Sequence, residues 1–581
     1  MFELIPPAVF MIVAALLIGP ARGHLRTAIV LGAPLLTLWF IWQVPNGVAY
    51  DVAFLDYRIE PLEGSEVRRL FATIFALMAF VGGLYAFRQA KWYELAAAYA
   101  YAAGAIGVSF AGDLITLFLY WELMALFSTV VVWCGGTPEA RQAGIRYAIM
   151  HLLGGVILKV GIEGVVVHTG SIDIQPMMAN NFDTWMMLAG ILINAAAPPV
   201  SAWLADSYPT SSATGSVFLS AFTTKTAILA LILLFPGESV LIGIGLFMVM
   251  YGIIYALLEN DIRRILAYSI VNQVGFMVCA VGIGTQMAIN GAAAHAFAHI
   301  IYKALLFMSA GVVVYRTGFN RCTEVGGLFR TMPLTAICGI IGALAISGFP
   351  LTSGFTTKTM ISQAAADESL FYVYMLLAAA SAGVFLHAGI KFPWFVFFQR
   401  DSGLRPKDAP WNMGAAMVIF SVLCILLGVA PDLLYRFLPY PVEYEAYTPG
   451  KVLFYLQLLM FSGLAFFLLL PLMKDSRPAR IINVSSGVHY GETIDFADLQ
   501  SKRSYVSNKV YGMTKLANIL FTTQLATMLD GSGVTANSLH PGVIDTKLYQ
   551  NFMGMGWPDR PLWQHPFPVR GHLLLLAIPF P

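Results

Sequence analysis

Several ionisable side chains sit inside stretches apolar enough to cross a bilayer. Glu122 lies near the middle of LITLFLYWELMALFSTVVVW, Lys225 in SAFTTKTAILALIL, and His295, His299 and Lys303 in HAFAHIIYKALLF, while Lys358 follows the stretch SGFPLTSGFTT. A lone charge at mid-bilayer costs about 2.5 to 3.5 kcal/mol on insertion scales, so such a group is normally retained for a task. His295, His299 and Lys303 recur every four residues and therefore share one stripe of a helix, about a turn apart. That spacing suits stepwise proton transfer, because imidazole titrates near neutral pH and burial can bring an amine towards the same range. The competing reading is structural: each histidine is hydrogen-bonded in a core, and a buried lysine only neutralises Glu122.

The elements that must hold these groups are membrane helices. Only 11% of the chain is charged, 58% is hydrophobic and the mean hydropathy is +0.72, whereas soluble domains are about one-quarter charged. About fifteen apolar runs reach bilayer length. They lie near 5–20, 26–44, 69–87, 93–111, 113–134, 144–168, 184–204, 213–235, 239–258, 266–283, 290–315, 332–366, 372–398, 412–430 and 452–473. The first lacks a basic start and a small-residue cleavage site, so it reads as a retained helix. The five cysteines have neither paired nor metal-ligand spacing, so no metal site, disulfide framework or cluster is expected.

Net charge is only +2, but the basic residues are unevenly placed. Loops after odd-numbered spans carry Arg22 and Arg26, Arg88 and Lys91, Arg141 and Arg146, Arg263 and Arg264, Arg316, Arg321 and Arg330, and Arg400, Arg405 and Lys407; even loops are mostly acidic or neutral. The positive-inside rule then puts the N-terminus outside and the C-terminal tail in the cytoplasm. Basic residues at helix ends are orientation signals, and nothing suggests nucleic-acid binding.

Two spans are interrupted. The seventh contains INAAAPPVSAW and the twelfth SGFPLTSGFTTK. Broken helices survive in a membrane only where protein or a wet cavity satisfies the freed carbonyls. The breaks lie five spans apart, as two five-helix repeats over about 93–235 and 239–398 would place them. Ordinary proline kinks are the alternative.

The stretches LYWELM, WLADSYPTSSATGSVFLSAFTTKT, NDIRRILAYSIVNQVGFM, HAFAHIIYKALLFMSAG and GFPLTSGFTTK resemble a proton-conducting family. It includes the D-type component of Mrp-type multisubunit cation/proton antiporters and the antiporter-like subunits of respiratory complex I. The resemblance covers most of residues 90 to 400. It implies an all-α polytopic fold of fourteen or so helices, with two inverted repeats and broken seventh and twelfth spans. It also implies proton-path roles for Glu122, Lys225, Lys303 and Lys358, in which Glu122 modulates a neighbouring lysine, and the stripe reading adds His295 and His299 to that path. Members work inside hetero-oligomers, so partner subunits are implied.

Two departures stand out. Where the family usually has a seventh-span lysine this chain has Asn194, and where it has a histidine before the Trp-Leu pair this chain has Ser201. An amide cannot carry a proton charge. The sixth span offers Lys159 and Glu163 one turn apart, and either Lys159 replaces the missing lysine as partner of Glu122, or Lys159 and Glu163 neutralise each other.

After residue 474 the composition changes. Residues 475–581 read as a short strand, a helix with Tyr511 and Lys515 at i and i+4, and a second strand. This resembles the C-terminal half of short-chain dehydrogenases, closest to the retinol-dehydrogenase-like branch. In that family Ser486, Tyr511 and Lys515 would match the catalytic trio. The glycine-rich turn that would cradle a dinucleotide is missing upstream. The tail is therefore expected to be a non-catalytic remnant or a chimaeric reading frame.

The expected function is that of an ion-translocating subunit, within residues 1–474, of a monovalent cation (Na+)/proton antiporter in a bacterial inner membrane, with no cofactor beyond the transported ions. The alternative is a proton-pumping subunit of a complex I-like oxidoreductase or a membrane-bound hydrogenase.

Overall fold

A computed structural model describes residues 5–475, 479–484, 493–494, 506–528 and 534–539. The chain divides into two compact units, Met1–Gly463 and Leu464–Pro581. Every apolar run identified above is helical, and eleven helices among the described residues are long and apolar enough to cross a membrane. The protein is an all-α polytopic membrane protein with a small α/β piece at its C-terminal end.

Both expected interruptions are present. The seventh span is Phe182–Asn194 followed by Ala202–Ser207, and the twelfth is Pro333–Ser347 followed by Ser353–Asp367. Each break holds a non-glycine residue in the left-handed region, Ala196 at φ 60° and Leu351 at φ 69°, a conformation that costs about 1 to 2 kcal/mol and clusters at functional sites. The eighth span is also interrupted, into Gly215–Leu219 and Thr223–Leu234; no proline marks it.

The acidic stretch between the second and third spans is a β-hairpin, not a plain loop: Gly47–Phe54 pairs antiparallel with Tyr57–Gly64. Alternation of Val48, Tyr50 and Val52 with smaller or polar residues is the strand signal. The hairpin ties down the start of the fifth span. The Glu60 N–H donates to Asp113 Oδ2 at 2.7 Å, the Gly112 N–H donates to the Glu60 carbonyl at 2.9 Å, and Asp113 caps the helix by accepting from the Thr116 N–H at 2.8 Å.

Loops segregate into two sets by their hydrogen bonds. On one side Asp113 bridges Asp173, joining the loops after the fourth and sixth spans; on the other Asp261 bridges Arg321, joining those after the ninth and eleventh. Arg146 pairs with Asp206 at 2.6 Å on the latter, odd-loop side. The two bridges are equivalent features of two repeats inverted with respect to each other. The sixth span, Pro138–Thr169, and the eleventh, Gln286–Thr317, are both 32 residues long. Thr137 and Thr285 cap their N-termini, and Gly170 and Gly318 end them at φ 72° and 77°, where only glycine avoids a Cβ clash.

In the second unit, Ala479–Val484 and Val534–Leu539 form a parallel pair joined through Ser507–Met528, a single β-α-β crossover.

Candidate functional site

Lys225 stands two residues into the second half of the eighth span and is fully buried. Its Nζ donates to the Ser220 carbonyl at 2.6 Å and to Thr224 Oγ1 at 3.0 Å. Ser220 lies in the interruption, where the regular helical partner of its carbonyl is lost. Lys358, also fully buried, does the same in the twelfth span: its Nζ donates to the Ile346 carbonyl at 2.6 Å and lies 5.1 Å from the centroid of the Phe276 ring. The helical partner of the Ile346 carbonyl would be the N–H of residue 350, which is a proline. Each ammonium thus satisfies a carbonyl that a helix break has freed, and each occurs in the same pentapeptide, Phe-Thr-Thr-Lys-Thr, at 222–226 and 355–359.

The eleventh span brings its polar stripe between these lysines. His295 Nδ1 is 2.9 Å from Thr357 Oγ1, beside Lys358, and its Nε2 is 3.3 Å from the Tyr302 hydroxyl, which donates to Gln273 Oε1 at 3.1 Å. His299 and Lys303 are fully buried, and neither ring nitrogen nor the ammonium has a protein hydrogen-bond partner. His299 is within electrostatic reach of Lys225, Lys303, His295 and Lys358, and Lys303 of Lys225 and Lys358. Buried polar atoms without protein partners are ones that ordered water satisfies. The arrangement is a compact set of buried titratable groups lying between helix breaks.

Glu122 stands apart from this cluster. It makes no ion pair among the described residues, and its Oε1 is buried without a partner. The carboxylate lies directly against Gly155 of the sixth span, where an added Cβ would come within 1.9 Å of Oε1. Lys159 does not pair with Glu122. Its Nζ donates to Glu163 Oε1 on the outer face of the sixth span, with the two side chains 43% and 63% exposed. The two groups are one turn apart on one helix and close their own ion pair, which is the second of the two readings the sequence left open. Asn194 is fully buried, with its amide facing His151 of the sixth span.

Two buried histidines escaped the sequence reading. His151 in the sixth span packs against Tyr147 and Trp203 with ring centroids 4.1 and 4.6 Å apart. His387 occupies a π-helical segment, Phe385–Lys391, where its Nδ1 is 2.9 Å from the Gly383 carbonyl; such segments recur at functional sites. Each is a single histidine in an apolar run, so position along the sequence alone does not separate it from a core residue.

Residues 111–385 match the family described as "NADH:quinone oxidoreductase/Mrp antiporter, TM". That segment, a little under half of the chain, is similar to a proton-antiporter membrane domain. Among curated relatives, the D-type component of the Na(+)/H(+) antiporter of Alkalihalophilus pseudofirmus is 28% identical to it over 429 residues, which is 68% of this chain and 83% of that protein. The fold of the membrane part is also that of a chain in the Mrp complex from Dietzia sp. DQ12-45-1b, with a TM-score of 0.65 and 21% identity, covering 74% of this chain and 91% of that one. A chain of the membrane-bound sulfane sulfur reductase, an archaeal respiratory membrane complex, aligns with a TM-score of 0.66 and 23% identity over 79% of this chain and 98% of that one.

Residues 464–554 match the short chain dehydrogenase family. In the described part of that unit, Lys515 Nζ lies 5.4 Å from the centroid of the Tyr511 ring. Ser486 lies outside the described residues. Among the described residues no group of three or more His, Cys, Asp or Glu side chains could hold a metal ion.

Proposed function

We propose that this chain is the ion-translocating subunit of a multisubunit cation/proton antiporter, moving protons along Glu122, Lys225, His299, Lys303, His295 and Lys358 in exchange for Na+ or another monovalent cation. The observation that carries the reading is the buried set of amines and imidazoles between the broken spans, with two lysines held on carbonyls that the breaks free. An amine held this way can release its proton to a neighbouring imidazole and regain it without any backbone rearrangement. The relationship to the D-type antiporter component supports the exchanged ion being a monovalent cation, and the distribution of Lys and Arg supports a bacterial plasma-membrane orientation with the N-terminus outside and the tail in the cytoplasm. Partner subunits complete the transport unit, since the relatives named above belong to multisubunit assemblies.

The test is transport by the intact complex reconstituted in vesicles, with no quinone or electron donor present. A Na+ or K+ gradient is expected to drive proton movement, and Lys225→Met to abolish it. Proton movement that appears only on adding an electron donor would assign the chain to a redox-driven pump. The tail contributes no dehydrogenase activity in this reading, and calorimetry of the full chain with NADH and NADPH is expected to show no binding.

A further inference from the structure

The candidate path has a gap between Glu122 and Lys225, where the seventh span presents Asn194 in place of a titratable group. Resting on the antiporter reading above, we propose that His151 of the sixth span is the proton-carrying residue that closes this gap.

Symmetry of the repeats points to this residue first. One constant sequence interval relates Asp113 to Asp261, Thr137 to Thr285, Gly170 to Gly318 and Asp173 to Arg321, pairs that play matching roles in the two halves. That interval carries His151 onto His299 and Gly155 onto Lys303. The stripe of His295, His299 and Lys303 in the second half therefore has a counterpart in Tyr147, His151 and Gly155. The space a long side chain would take at Gly155 holds the Glu122 carboxylate instead. The first half thus keeps an acid, supplied by the fifth span, next to the imidazole position of its stripe.

Local chemistry points the same way. His151 is one helical turn before Gly155, so its ring is a turn from the Glu122 carboxylate. It is 2% exposed, and its ring faces the fully buried amide of Asn194 on the seventh span, within reach of it. The facing imidazole and amide form a buried polar pair between the sixth and seventh spans, next to the Glu122 carboxylate's place at Gly155. On the other side, Tyr147, whose ring centroid lies 4.1 Å from that of His151, approaches Thr223, which shares a hydrogen bond of 2.5 Å with Tyr101 and immediately precedes Thr224, the acceptor of Lys225.

The transfer is a balanced proton relay. The O–H bond of the Glu122 carboxyl breaks as an N–H bond forms on one nitrogen of His151. The proton on the other nitrogen then passes through water to the uncharged amine of Lys225, leaving a carboxylate, a neutral imidazole and an ammonium. Nothing is oxidised or reduced.

The experiment uses the whole complex in vesicles with an entrapped pH-sensitive dye and a Na+ pulse. His151→Gln and His151→Ala are expected to slow cation-driven proton movement by about tenfold or more, with the complex intact on gel filtration. Adding Asn194→Lys to His151→Gln is expected to restore transport, because it returns a titratable group to the same pocket; a purely structural role for His151 would not be rescued in this way. His151→Gln at the parental rate, or its loss left unrescued by Asn194→Lys, overturns the proposal while the parent's transport leaves the antiporter reading standing. Absence of cation-driven proton movement in the parent itself overturns the antiporter reading, and this proposal with it.

Discussion

At the scale of single residues, Lys225 and Lys358 each cap a carbonyl freed by a helix break, and in the proposed path each ammonium also carries a mobile proton. The jobs can be separated by substitution. Arginine retains charge and donors but does not release its proton at any accessible pH, whereas methionine removes both and leaves a carbonyl orphaned at about 1 to 3 kcal/mol. Lys225→Arg is therefore expected to keep thermal stability near that of the parent and lose cation-driven proton movement, while Lys225→Met loses both. Parental transport by Lys225→Arg would show that proton release from this position is not needed. The intramembrane charges themselves were legible, because a lysine or glutamate inside an apolar run is too costly to serve as mere filling. The pairing of Lys159 was left open between Glu122 and Glu163, and it closes on Glu163, one turn away on the same helix. His151 was missed because a single histidine in an apolar run reads as a core residue, although the interval that relates the two repeats would have matched it to His299.

At the scale of elements, glycines set how closely charged groups and broken ends approach. A Cβ on Gly354 would fall 1.8 Å from the Ala345 carbonyl oxygen across the twelfth-span break, and a backbone atom cannot swing aside. Gly354→Ala is expected to destabilise the complex by about 1 to 3 kcal/mol, read as a lowered unfolding temperature. Gly155→Ala differs, because the atom it meets is the end of the Glu122 side chain. There the fold and assembly are expected to survive while transport falls, since the carboxylate is pushed from its position; unchanged transport would show that its placement against Gly155 is not used. Prolines and glycines announced the seventh- and twelfth-span breaks. The interruption at Ser220 had no such marker and depends on tertiary contacts such as the Tyr101 hydroxyl accepting the Thr223 N–H at 3.0 Å. The hairpin between the second and third spans was hidden by its acidic composition, which reads as a loop unless the alternation is counted.

At the scale of the whole molecule, the two inverted repeats explain why the breaks, the long sixth and eleventh helices and the two loop bridges come in pairs. The number and order of spans were legible because bilayer-length apolar runs leave little freedom. The tail is a separate unit with one β-α-β crossover in its described residues, too few strands to cover both faces of a doubly wound sheet. A chain ended after Asp475 is expected to transport cations and protons at the parental rate in the assembled complex; loss of transport with assembly intact would give the tail a role in the membrane cycle. Proton conduction by this chain requires a continuous hydrated line between its buried groups, and a map of the assembled complex at a resolution that shows water tests this most directly. Ordered waters linking Glu122, His151, Lys225, Lys303 and Lys358 without a break are expected. Dry, tightly packed apolar side chains between any two of these groups, or ammonium groups turned towards acyl chains, would contradict proton movement along this path.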